Sequence, residues 1–270
     1  MNYAIIFHTL GIVIDFSAAF MIPPFIVALL YGEADAKYFA MCFAAYAIIG
    51  TALGKIKPVS RKFYAKEGYI IVSLSWIILS AVGAMPFYLS GYIPSYIDAL
   101  FEAVSGFTTT GASILTDVEA LSHGMLFWRS FTHWIGGMGV LVFILAVLPL
   151  AGGENMHIMR AESPGPSVGK LVPKLRKTAF YLYAIYFSMT ILQIVLLVIN
   201  KMPIFDAVCI SMGTAGTGGF GIKNDSMASY SVTINVIVTI FMLLFGVNFS
   251  FYFLILKRKF KDAFKMSEVI

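Results

Sequence analysis

The chain has 270 residues, of which 59% are hydrophobic and only 12% charged, with a net charge of +5. Those proportions exclude a soluble globular domain and leave room for several membrane spans of roughly 20 apolar residues each. The basic excess does not point to nucleic acid. It gathers at Lys55, Lys57, Arg61, Lys62 and Lys66, again at Arg160, Lys170, Lys174, Arg176 and Lys177, and after the last apolar run at Lys257, Arg258, Lys259, Lys261 and Lys265. Such clustering is the positive-inside pattern and assigns these regions, with the N-terminus, to the cytoplasm.

In chain order, residues 4–31 form a first apolar span in which Pro23 and Pro24 predict a kink or break. The run has no basic leading segment and no convincing cleavage site, so it reads as a retained helix and not a signal peptide. Asp15 lies within it. As an intramembrane carboxylate it is a functional candidate; facing cytoplasmic water or pairing with a neighbouring helix fits equally well. Glu33, Asp35 and Lys37 make an external turn, and a second span over 38–54 leads into the first basic linker. A third span covers 68–90, with Gly83 and Pro86 permitting a bend near its end. Cys42 and Cys209 read as free thiols in packed helices. Neither they nor the scattered His8, His123, His133 and His157 form a metal-ligand pattern, so no transition metal is expected.

The informative stretch comes next. Pro94 opens a short helix carrying Phe101-Glu102-Ala103-Val104, which runs into Thr108-Thr109-Thr110-Gly111-Ala112. Pro203 opens another carrying Phe205-Asp206-Ala207-Val208, which runs into Gly216-Thr217-Gly218-Gly219-Phe220. Both loops sit between long apolar spans. Polar, glycine-rich backbone is tolerated at membrane depth only where protein buries it or where it lines a watery cavity, so the economical reading is a re-entrant pore loop present twice. The chemistry suits a cation. A bare ion needs oxygens in place of its hydration shell, and consecutive carbonyls supply them. Glycine lets neighbouring carbonyls point the same way. The preceding helix turns its negative C-terminal end towards the cavity, while Glu102 and Asp206 fall in the N-terminal half, where a carboxylate is favoured. A Gly/Thr-rich loop outside the membrane is the plainer alternative; two copies with matching flanks weigh against it. The run from Gly216 to Gly221 also satisfies G-x-G-x-x-G, but it lacks the preceding strand and the following acid of a dinucleotide site.

Beyond the first loop, Asp117 and Glu119 are either cation-gathering acids at a pore mouth or ordinary solvated loop residues, the latter being the plainer reading. A fourth span starts near 124, with Trp128 and Arg129 suited to the outer interface, the arginine snorkelling or pairing to an acid. His133 is read as a hydrogen-bonded packing residue before a proton-coupling one. Gly136, Gly137 and Gly139 allow close helix contact or a hinge. A cytoplasmic linker, a fifth span over 178–200 and a sixth over 231–256 follow. The sixth contains Gly246 and Asn248, the asparagine expected to bond a neighbouring helix or loop. The order span, short helix, loop, span thus occurs twice. Phe101 and Phe205 mark the same place in each, 205 − 101 = 104 residues apart, and matching Gly111 to Gly219 then requires a small insertion in the second copy.

Phe107-Thr108-Thr109-Thr110-Gly111-Ala112, Phe127-Trp128-Arg129-Ser130, Trp134-Ile135-Gly136-Gly137-Met138-Gly139 and Gly218-Gly219-Phe220 resemble the TrkH-type potassium uptake proteins of the Trk/Ktr/HKT cation transporter superfamily. The resemblance runs through nearly the whole chain. It implies an all-α integral membrane protein, with helix–pore-loop–helix repeats (two of the family's four) preceded by an N-terminal helix pair. It implies a selectivity filter of Thr108, Thr109, Thr110, Gly111, Gly216, Thr217, Gly218 and Gly219 with K+ as the transported ion, glycine at Gly111 and Gly219 going with potassium over sodium. Glu102 and Asp206 are the pore-helix acids. The implied partners are the lipid bilayer and a cytoplasmic nucleotide-binding regulatory subunit of the TrkA type, in a bacterial plasma (inner) membrane. No nucleic acid, no covalently bound cofactor and no enzymatic step is implied.

The family pore needs four repeats, and two are present here; the stretch from Phe260 to Glu268 resembles the connector to a third. The expected organisation is an N-terminal helix pair and linker over 1–66, a first repeat over 67–151, a cytoplasmic linker over 152–177, a second repeat over 178–257 and the start of a connector over 258–270. The chain would supply two of four filter loops, completed by a C-terminal half carrying the third and fourth repeats or by a second copy. The competing reading is a non-conducting truncated or assembly subunit of a cation transport complex. A membrane-embedded hydrolase would want facing nucleophiles that the sequence does not offer.

Overall fold

The computed structural model describes residues 2–56, 65–139 and 175–264, and among these the regular structure is entirely helical. The fourth span from residue 140 onward lies outside the described residues, as do Lys57, Arg61 and Lys62 of the first basic stretch, Arg160, Lys170 and Lys174 of the second and Lys265 of the third.

The chain opens with α1 (Tyr3–Phe20) and α2 (Ile22–Leu30), joined at Met21, with Pro23 and Pro24 in the first turn of α2. Proline is tolerated there because its missing N–H would be unpaired anyway. The expected break is therefore a clean restart, and the two helices together make one 28-residue apolar span. α3 (Ala36–Gly54) returns alongside α1. The two cross where a Cβ on Gly11 would lie 2.8 Å from the Gly50 carbonyl oxygen, so their backbones come as close as small residues allow. α4 (Ala65–Ser90) runs through Pro86 as one helix.

Two helix–loop–helix units follow. The first joins α5 (Tyr96–Phe107) to α6 (His123–Gly137); α7 (Leu175–Ile199) leads to the second, α8 (Ile204–Ala215) and α9 (Val232–Gly246). α10 (Phe249–Leu256) and a short α11 (Phe260–Ala263) complete the described chain. The sixth span is not continuous as expected: α9 and α10 meet at an 86° bend. Asn248 sits at that break and its side chain accepts from the Ser250 N–H at 2.9 Å, so it starts a new helix instead of serving as a mid-helix polar residue.

Four helical stretches among the described residues are long and apolar enough to cross a membrane, and the bent pair would make a fifth. Large apolar side chains stand outward along them, among them Leu30, Ile77, Phe180, Ile199 and Leu243. A water-soluble surface does not carry such bands; lipid does. Inside, a cluster around Phe39, Phe87, Phe107, Trp128 and Ile210 joins the N-terminal helices to both units. Trp128 is buried with its indole N–H on the Gly83 carbonyl at 2.9 Å, and Arg129 is buried beside it, so neither occupies the outer interface expected of them, although the arginine does pair to an acid, Glu102.

Candidate functional site: two Thr/Gly loops in contact

The two units share one backbone register. α5 and α8 are both twelve residues long, and their starts and ends are separated by the same amount, 204 − 96 = 215 − 107 = 108 residues. The loops keep it. The N–H groups of Thr108, Thr109 and Gly111 donate to Val104, Gly106 and Ser105, and those of Gly216, Thr217 and Gly219 donate to Met212, Thr214 and Gly213. Thr109 and Thr217 have φ of 55° and 61°, and Gly111 and Gly219 have 76° and 68°. Holding a threonine left-handed costs about 1–2 kcal/mol, and it recurs at the same place in both loops. No insertion is needed in the second copy as far as Gly219. The spacing of 104 residues taken from Phe101 and Phe205 is thus corrected: Asp206 corresponds to Asp98, and Glu102 corresponds to Ile210.

The loops touch. A Cβ on Gly111 would run into the Gly218 carbonyl oxygen, and one on Gly218 would lie 2.6 Å from the Thr109 carbonyl oxygen. Thr108 and Thr110 are exposed on the first loop, as are Thr217 and Gly219 on the second, whereas Gly216 is buried. The Thr108 hydroxyl donates to Val104 at 2.7 Å and shares a 2.8 Å hydrogen bond with Thr110, which ties the loop to its helix. Both loops leave the C-terminal ends of helices, where unpaired carbonyls carry partial negative charge. An arrangement of neutral oxygens beside two such ends can bind a cation and offers no nucleophile.

The acids do not act as a matched pair. Glu102 lies past the middle of α5, buried, and serves neither the helix start nor the solvent. Its carboxylate accepts from Ser113 Oγ at 2.9 Å, from the Ile114 N–H at 2.9 Å and from Arg129 Nε at 2.6 Å. Arg129 Nη1 reaches the Gly221 carbonyl at 2.5 Å, and its guanidinium lies 3.4 Å from the centre of the Phe220 ring. Asp206, in the first turn of α8, instead accepts from the Tyr230 hydroxyl at 2.8 Å. Burial, reinforced by that bond, pushes the Tyr230 phenol above its ordinary range.

Asn224, which sequence reasoning passed over, helps to hold the loops in place. Asn224 accepts from the Val118 N–H at 2.8 Å and donates to Asp117 at 2.7 Å, and its own N–H reaches Glu119 at 3.1 Å. Asp117 and Glu119 thus bind the outer segments of the two units together. His133 is fully buried against Gly216 and Gly218, with its ring 5.2 Å from that of Phe220. Among the described residues neither of its nitrogens has a hydrogen-bond partner, which corrects the hydrogen-bonded packing residue expected there. Phe220 fills the space between α5 and α6. The corresponding space between α8 and α9 is a cavity of about 390 Å³ lined by Ile210, Phe220, Asn235, Val238 and Met242 among others.

Comparison with known proteins gives a consistent picture. Residues 36–269 match the TrkH family, described as cation transport proteins. The chain is 36% identical over 263 residues to the Trk system potassium uptake protein TrkH of Escherichia coli K12, covering 96% of this chain and 54% of that protein. It is 32% identical over 256 residues to an uncharacterized cation transporter of Methanocaldococcus jannaschii, covering 94% of this chain and 53% of that protein. The crystal structure of the potassium transporter TrkH from Vibrio parahaemolyticus superimposes with a TM-score of 0.76 at 31% identity, over 94% of this chain and 52% of that one. The chain therefore spans about half the length of the curated relatives it matches. On the family match and the shared fold, it belongs to the TrkH family of membrane cation transport proteins.

Proposed function

We propose that the chain supplies two of the four selectivity-filter loops of a potassium-uptake pathway. The observation that carries this reading is the paired loop backbone, with Thr109 and Thr217, and Gly111 and Gly219, left-handed in the same register and in contact. Thr108, Thr109, Thr110 and Gly111 from one loop, and Gly216, Thr217, Gly218 and Gly219 from the other, present oxygens that replace part of the shell of a dehydrating K+. A C-terminal half carrying the third and fourth repeats, or a second copy, provides the rest. The cavity beside the second loop supports this, because the matching space in the first unit is filled by Phe220 from its neighbour. Potassium follows from the likeness to a potassium uptake protein and from glycine at both Gly111 and Gly219. The site is the inner membrane of a bacterium, with the N-terminus and basic stretches cytoplasmic. There they are placed to dock a nucleotide-binding regulatory subunit of the TrkA type.

Rubidium uptake into proteoliposomes holding the purified chain, with sodium as competitor and Gly111→Ser as control, tests the proposal. Uptake that favours rubidium and is altered by the substitution supports a filter completed by further copies. No flux from folded, inserted protein calls for co-expression with polypeptide carrying the other two loops. If that assembly also shows no preference for rubidium over sodium, the filter reading fails; if it shows no flux at all, the chain is a non-conducting assembly subunit.

A further inference from the structure

The buried pair Glu102–Arg129 sits where the two loops join, and it spans the joint. Glu102 holds the segment leaving the first loop, through Ser113 Oγ and the Ile114 N–H. Arg129, bonded to Glu102 at 2.6 Å, holds the segment leaving the second, through the Gly221 carbonyl and the face of Phe220. The bonds of the two charges go past Thr108–Gly111 and Gly216–Gly219: the pair stands behind both loops, and each of its links attaches within a few residues of a left-handed glycine, Gly111 or Gly219.

The molecule contains its own control. α6 and α9 are both fifteen residues long and both start after a serine N-cap, 231 − 122 = 109 residues apart. Arg129 therefore corresponds to Val238, as Glu102 corresponds to Ile210, and Ile210 and Val238 line the same cavity. The fold accommodates an apolar pair at this location. Desolvating two charges is costly, and well-packed apolar residues of similar volume often do as well or better for stability. Stability alone is thus a poor reason for a charged pair in the first unit. What the charges supply, and Ile210 and Val238 do not, is directional bonding to two separate loop segments.

We propose that Glu102 and Arg129 are positioning residues for ion discrimination, setting the relative placement of the two filter loops. The inference rests on the filter reading above. Its test is Glu102→Ile combined with Arg129→Val, which copies the second unit's residues, in the transport-competent assembly, whether the chain alone or the chain with polypeptide carrying the other two loops. The double variant is expected to fold and insert with a melting temperature near that of the wild type. Its rubidium-over-sodium uptake ratio is expected to fall about tenfold, with sodium flux retained. A ratio within twofold of wild type would overturn the proposal and leave the pair a packing feature. Should the double variant not fold, Glu102→Gln decides: it keeps the shape and one acceptor, and a ratio lowered at unchanged melting temperature supports the proposal, whereas an unchanged ratio sinks it. A wild-type assembly with no preference for rubidium overturns the filter reading, and this inference with it.

Discussion

The first unit is closed and the second is open. Between α5 and α6 the space behind the loop is filled by Phe220, stacked under Arg129 and beside His133, while the matching space between α8 and α9 is a cavity. Three backbone hydrogen bonds nevertheless recur at the same places in both loops, as do the left-handed threonine and glycine. Loop shape is therefore a local property, set by each short helix and its C-terminal turn. The seal around the first loop comes from the neighbour, through Phe220 of the second unit. A design of that kind makes the joint between units, and not the units themselves, the place where mutations should differ most.

The largest difference is expected at the charged joint. Replacing Arg129 alone with Met strands the buried Glu102 carboxylate, and loss of one partner of such a pair costs about 3–5 kcal/mol. At the corresponding position of the second unit, Val238→Ala removes only methyl groups beside an existing cavity. Its cost should lie at or below the low end of the range for buried aliphatic truncations, about 1 kcal/mol. Thermal melting of the two variants in the same detergent measures the gap; equal losses would mean that the Arg129 pair contributes nothing special. The glycines come next. Gly111→Ala and Gly219→Ala both force alanine into left-handed backbone at about 1–2 kcal/mol. Only the first also drives a Cβ into the Gly218 carbonyl, whereas the nearest atom to a Cβ on Gly219 is Met242 Cε at 3.7 Å. In the chain alone, Gly111→Ala should lower the melting temperature more. In an assembly with a further loop against Gly219 the difference should shrink, and a difference that persists there would argue that nothing packs on the second loop.

A smaller effect is expected in the outer segments. Asn224→Ala removes the bonds to Val118 and Asp117, leaving the two outer segments joined mainly through the Asn224 backbone and Glu119. The expected loss is about 1–2 kcal/mol, at the level of a pair of partly exposed hydrogen bonds. Faster hydrogen exchange at the Val118 amide than at the helix interiors would be its local signature, and unchanged exchange there would refute the role given to Asn224.

Much of this was legible in the sequence for physical reasons. Long apolar runs, basic clusters and paired proline, threonine and glycine punctuation are local signals, and they gave the helical membrane fold and the two loops. What was misread depended on partners. Phe101-Glu102 and Phe205-Asp206 look alike over four residues, yet helix length and caps set the true register and put them at different positions. The N-cap serines Ser122 and Ser231 carried that information and were passed over. Arg129 finds Glu102 across a loop, which spacing along one helix cannot reveal. Asn248 was placed inside a continuous span although Gly246-Val247-Asn248 is also a stop followed by an N-cap.

Those serines also provide the finest test of the comparison. Ser122 accepts from the Met125 N–H and Ser231 from the Ile234 N–H, both at 3.4 Å, so as caps they are alike. Their surroundings differ. At the start of α6, Glu33 from the N-terminal helix pair also accepts from the N–H groups of His123 and Gly124, at 2.7 and 2.9 Å, with Tyr31 stacked on His123. Loss of a serine cap costs about 1 kcal/mol where it is the main partner of the first turn. Ser231→Ala should therefore show close to that loss, while Ser122→Ala should show less, because Glu33 still satisfies the first turn. In a Glu33→Ala background the Ser122 substitution should rise to the Ser231 value. Losses that simply add would mean that Glu33 and Ser122 act independently, and that the N-terminal helix pair does not brace the first unit in a way the second lacks.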